Sequence, residues 1–170
     1  MIRPHYILLP ANPLFIAMTL ALAFLLNLLP WGQLPGVPDF VALVLVFWSI
    51  HQPRKIGIGI AFCMGLLMDV HEATLLGQNA LAYTLLSYFA IMIHRRVLWF
   101  PVGVQALYIL PLMLLAQLIQ LLIRMVISGK FPGWLYFSES FICAALWPVV
   151  AWLLLAPQRR AINRDDNRPI

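Results

Sequence analysis

Six apolar runs dominate this chain, and the breaks between them are too short to fold independently. The runs cover residues 14–29, 40–50, 56–70, 75–93, 102–123 and 137–156. Between them stand "PWGQLPGVPD", "HQPRK", "HEAT", "HRRVLWFP" and "SGKFPGW". Proline, glycine and charge in these breaks are the usual punctuation between helices. A helix crosses the hydrocarbon core of a bilayer with about 20 apolar residues. Repetition at nearly that length predicts an all-α membrane protein: six transmembrane helices in one bundle over residues 1–157, then a basic tail at 158–170. The second and third runs are short. They reach roughly 16 and 22 Å at 1.5 Å per residue, against a core of about 30 Å. Tilting, extension by flanking polar residues and partial re-entry are all open for them.

Composition excludes the main alternatives. Of 170 residues, 63% are hydrophobic and only 10% charged, whereas soluble domains carry about 25% charged residues. The net charge of +5 raises a nucleic-acid reading. The basic residues, however, lie in short clusters between apolar runs, the pattern of membrane topology. No nucleic-acid partner is expected. The first run follows Arg3 and His5 as a signal peptide would, but Asn27, Pro30 and Trp31 stand where small cleavage-site residues belong, so it reads as a retained membrane helix. Cys63 and Cys143 lie inside apolar runs and read as buried small hydrophobes.

Charge placement predicts orientation. With a cytoplasmic N-terminus, Arg3, Arg54, Lys55, Arg95, Arg96, Arg159, Arg160, Arg164 and Arg168 fall inside, while Arg124 and Lys130 fall outside. That is nine against two of the eleven basic residues, and the opposite orientation would invert the ratio. Both termini are therefore expected in the cytoplasm. Asp39, Asp69, Glu72 and Glu139 then lie toward the outer side. Trp31 and Trp134 fall near the outer interface, and Trp48, Trp99 and Trp152 near the inner one. Trp147, beside Pro148 in the last run, predicts a kink stabilised by neighbouring helices.

The stretch "MGLLMDVHEATLLG" (64–77) sets Asp69, His71 and Glu72 among apolar residues. "HEATL" lacks the second histidine of a zinc protease helix, and no other acid or histidine group stands at ligand spacing. No metal or cofactor is expected. Paired carboxylates can divide acid and base roles, but no nucleophile motif or phosphate loop accompanies them, so no enzyme is expected. Helix packing explains more. Gly57, Ala61 and Gly65 recur every four residues, with Asp69 next in the series; small residues at this spacing let membrane helices approach closely. Gln117, Gln120 and Arg124 share one face of the fifth run. Asp69 or Glu72 is a candidate ion-pair partner for Arg124, joining the third helix to the fifth. The alternative is that Arg124 snorkels to the interface. Glu139 reads as an interfacial acid. The tail "QRRAINRDDNRPI" reads as disordered, with arginines able to meet anionic lipid.

The landmarks together resemble a known family. "PDFVALVLVFW" (38–48), "GIGIAFCMGLLMDVHEATLLGQNALAY" (57–83) and "LWP" (146–148) are similar to the rod-shape-determining MreD proteins of Gram-negative bacteria. The likeness centres on Gly65, four residues before Asp69, and on Leu76 and Gly77 beyond it. The resemblance implies a non-enzymatic inner-membrane scaffold of the cell-elongation machinery, supporting rod shape and peptidoglycan synthesis. It implies MreC as a direct partner, with RodA, its class B penicillin-binding protein and MreB in the same assembly. It also implies a fold similar to the S components of energy-coupling-factor transporters. This chain departs from the family in carrying His71 and Glu72 where Gly or Ser is common. The rival function is a small-molecule-binding membrane component of a transporter, its outer cavity lined by Asp69, Glu72, Gln117, Gln120, Arg124 and Glu139.

Overall fold

The computed structural model describes residues 7–8, 12–30, 36–129, 131 and 133–160. Each apolar run becomes one helix: α1 Pro13–Leu28, α2 Phe40–His51, α3 Ile58–His71, α4 Gln78–Leu98, α5 Val102–Ser128 and α6 Ser138–Leu155. A 3-10 turn, Trp134–Phe137, leads into α6, and another, Ala156–Gln158, follows it. Apart from these, Ile7–Leu8 (β1) pairs antiparallel with Arg159–Arg160 (β2). That two-residue ladder sets the two ends of the described chain side by side.

The order of layers follows from hydrophobicity. A helix that is apolar all round must be surrounded. In α2 every residue from Val41 to Ile50 is buried, and this short helix packs against α1, α4 and α6. Its twelve residues span about 18 Å. Neighbouring pairs α3–α4, α4–α5 and α5–α6 complete the bundle. Starts and stops are chemical. Asn12 caps α1, its Oδ1 accepting from the Leu14 amide at 3.1 Å, with Pro13 at the first helical position. The α5 helix ends at Gly129, whose φ of +63° closes the C-terminus in the left-handed region.

The exterior is apolar. Met18 and Leu22 on α1, Leu107 and Val126 on α5, and Val149 and Trp152 on α6 are all exposed. On a monomer in water such a surface is an aggregation liability; against hydrocarbon it is matched. By length and composition α5, and α6 with its flanking turns, can each cross a membrane.

Several expectations change. Trp48 is fully buried rather than interfacial; its Nε1 donates to Thr19 Oγ1 at 2.9 Å, tying α2 to α1. Cys63 is exposed, while Cys143 is buried, because Cys63 lies on the face of α3 away from the bundle. The α4 helix continues past residue 93 to Leu98, carrying Arg95 and Arg96 in its last turn, where cations complement the helix dipole. α6 runs through Pro148, with Trp147 buried and its Nε1 donating to Gln105 Oε1 at 3.2 Å. The tail begins in order: Gln158 is buried and its Nε2 donates to the Leu154 carbonyl. Trp31, Lys130 and residues 161–170 lie outside the described residues.

Candidate functional site

Asp69 ends up inside the α3–α4 hairpin, 1% exposed. Its Oδ2 accepts from the Gly77 amide at 2.8 Å and the Ala80 amide at 3.4 Å. Its Oδ1 accepts from the Asn79 amide at 2.7 Å and from Thr74 Oγ1 at 3.3 Å. The first amides of a helix have no partner within it. Here a carboxylate on the preceding helix supplies one, and its charge faces the positive end of the α4 dipole. Gly77, with φ +105°, makes the turn that aims these amides at Asp69. Gly65 lets the helices meet: a Cβ there would lie 2.4 Å from Ala80 Cα and 2.6 Å from its nitrogen. Ala61 is fully buried one turn earlier. Gly57 differs, having open space where a Cβ would stand, and caps the start of α3. Close approach is therefore confined to the upper part of the small-residue series.

Two more helices begin at the same end of the bundle, each with an acid. Asp39 caps α2, its Oδ1 accepting from the Ala42 amide at 3.0 Å and from Asn27 Nδ2 at 2.9 Å, while Tyr83 Oη donates to Oδ2. Asn27 Oδ1 in turn accepts from the Phe40 amide at 3.1 Å, fastening the end of α1 to the start of α2. Glu139, in the first turn of α6, accepts from Gln117 Nε2 at 2.8 Å. Gln117 also donates to the Tyr136 carbonyl and accepts from Ser140 Oγ at 2.5 Å. Gln120 Nε2 donates to Asn79 Oδ1 at 2.7 Å, and its Oε1 accepts from Tyr136 Oη at 3.0 Å.

A partly open cavity of about 270 Å³ lies between these groups. Asn27, Asp39, Gln78, Asn79, Gln120 and Tyr136 form its polar walls, with His71, Glu72, Arg124 and Glu139 among the rest. Glu72 accepts from Asn79 Nδ2 at 3.1 Å. Surrounding protein pushes the Glu72 carboxyl above its ordinary range; the Asn79 bond pulls it down, the Asp39 charge raises it and Arg124 lowers it. Gln117 and Asp69 are not on this wall. The structure thus brings Glu72, Gln120 and Arg124 to one cavity and assigns Asp69 and Gln117 to fastening helices beside it. No group of three His, Cys, Asp or Glu suited to a metal occurs among the described residues.

Asn27, Asp39, Gln78, Asn79 and Tyr136 were not singled out from sequence as site residues. Asp39 carried a signal, since an aspartate directly before an apolar run marks an N-cap. Gln78 and Asn79, two amides opening an apolar run, carried a weaker one.

An apolar bundle whose polar side chains fasten helix ends defines a membrane-associated helical protein. Its sequence matches the family profile of the rod shape-determining protein MreD over residues 11–156, and the chain belongs to that family. It is 29% identical over 148 residues to the rod shape-determining protein MreD of Haemophilus influenzae, covering 84% of this chain and 88% of that one. No solved structure matches it. As a member of that family it is a rod shape-determining protein. Gly65, Asp69 and Gly77, which carried the family resemblance, are now explained: they allow a close approach, supply a cap, and make the turn that receives it.

Proposed function

We propose that the protein is a multi-pass scaffold of the bacterial inner membrane, with six spans and both termini in the cytoplasm. It holds a bitopic partner of the MreC type and, through it, RodA, its class B penicillin-binding protein and MreB. Membership of the MreD family over most of the chain carries this reading. The β1–β2 ladder supports an even number of crossings, because it joins the two ends of the described chain. The exposed apolar faces of α1, α5 and α6 supply lipid and docking surfaces, and the described loops are short. A bundle resembling energy-coupling-factor S components fits the same layout.

The test is purification of the full-length protein from host membranes in mild detergent, with mass spectrometry of co-purifying proteins. Near-stoichiometric MreC with the elongation synthase is the expected result. Recovery alone, or with a transporter ATPase pair, would reject it. The latter would favour the second reading, a ligand-binding transporter component, for which the polar cavity is the supporting observation.

A further inference from the structure

Helix capping accounts for Asp39 and Asp69, but one wall of the cavity has no such explanation. Gln78 is 6% exposed and faces the cavity. Its backbone amide is bonded to the Leu75 carbonyl, yet its side-chain amide has no hydrogen-bond partner among the described residues. No side-chain nitrogen or oxygen sealed from solvent lacks a partner there, so the Gln78 amide meets whatever fills the cavity. An amide that the protein leaves without a partner takes its hydrogen bonds from what the cavity holds, water or a ligand.

The charges around it indicate what kind. Asp39 is engaged by the α2 N-terminus, Asn27 and Tyr83. Glu72 and Glu139 each accept from an uncharged amide and share the cavity with Arg124. Acidic side chains outnumber basic ones among the described residues that line it, Asp39, Glu72 and Glu139 against Arg124. The volume of about 270 Å³ lies just under the usual range of about 300–1,000 Å³ for ligand pockets, which suits one small group.

We propose that this cavity binds a small monocation bearing N–H donors, a primary ammonium or a guanidinium. Gln78 Oε1 and the carboxylates of Glu72 and Glu139 accept its protons. The group comes either from a free small amine or from a lysine or arginine of another protein inserted at the mouth. The inference deepens the cavity reading and does not depend on the scaffold reading; loss of the co-purifying partners would leave it standing.

The test is calorimetric titration of the full-length protein in detergent with two probes. Ethanolamine represents the free amine, and Nα-acetyl-lysine methylamide a lysine within a chain; its Nε-acetylated form is the uncharged control. Saturable binding of at least one amine is expected. The acetylated control, Gln78→Leu and Glu72→Gln should each weaken binding about tenfold or more, the effect of losing one charge-assisted hydrogen bond. Gln78 is buried and its replacement tests folding as well; Glu72 is exposed at the rim, so Glu72→Gln keeps the test decisive. Preference for the lysine derivative assigns the group to a protein partner, and preference for ethanolamine to a free amine. Absence of saturation, equal binding of the acetylated control, or unchanged affinity in Glu72→Gln overturns the proposal and leaves a water-filled vestibule.

Discussion

At the end of the bundle where α2, α4 and α6 begin, side chains such as Asp39, Gln120 and Asn79 each have several partners and border open space. Toward the other end, polar groups come in single pairs between helices: Ser49 with Ser87 at 2.7 Å, Trp48 with Thr19, and Trp147 with Gln105. Those pairs sit among Phe47 and other fully buried apolar residues. The difference lies in what each region must satisfy. Helix N-termini present unpaired amides, so polarity there is obligatory and shared. Mid-helix backbone is already paired, so polarity there is optional and local.

The largest expected effect breaks the capped end. Asp69→Ala leaves the Gly77, Asn79 and Ala80 amides without their acceptor, at a cost of about 3 kcal/mol or more. Thermal unfolding in detergent should shift strongly downward, with reduced protein in the membrane; an unchanged melt would show that the turn satisfies itself. Gly65→Ala comes next. A Cβ 2.4 Å from Ala80 Cα forces α3 and α4 apart, costing about 1–3 kcal/mol by overpacking. Gly57→Ala, where the space is open, is the paired control and should melt close to wild type.

Much of this contrast was legible in the sequence, but unevenly. The six helices follow from apolar length and Pro/Gly punctuation, and their bounds in the structure differ from the runs by a few residues. Gly65 and Asp69 stood out from their spacing, yet spacing along one helix says nothing of the acceptor's target. The amides capped by Asp69 lie eight to eleven residues later, across a turn whose geometry Gly77 sets. Trp48 misled because indole near the end of an apolar run suggests an interface. Only the three-dimensional layering makes α2 the central helix. Of the six residues of the rival cavity reading, Glu72, Gln120, Arg124 and Glu139 line the cavity and Asp69 and Gln117 do not, whereas Asn27 and Tyr136 reach it from elements far apart in the chain.

Glu72 sharpens the comparison with a smaller, pH-dependent effect. Although Glu72 reaches solvent at the rim, the protein around its carboxyl strips part of its hydration and raises its folded-state pKa above the ordinary value of 4.5, so the folded protein holds this proton more tightly than the unfolded chain. The resulting stabilisation is complete below that ordinary value and disappears as pH rises through the folded one. Melting temperature should fall over that window in wild type and fall less in Glu72→Gln.

The smallest net effect is expected of a double change at the dry pairs. Ser49→Ala or Ser87→Ala removes one partner of a buried bond, leaving the other hydroxyl unsatisfied at about 1–3 kcal/mol. Replacing both removes donor and acceptor together, and hydrophobic surroundings accept the methyls. The double variant should therefore melt close to wild type and above either single one. Applied to Asn79 and Gln120, the same cycle should fail. Asn79 Nδ2 also holds Glu72, and Gln120 Oε1 also accepts from Tyr136, so changing both to leucine strands two further groups. A restored melt at the cavity as well would mean that its hydrogen bonds are as local as those between α2 and α4, and that the shared network at the capped end contributes no stability beyond its separate pairs.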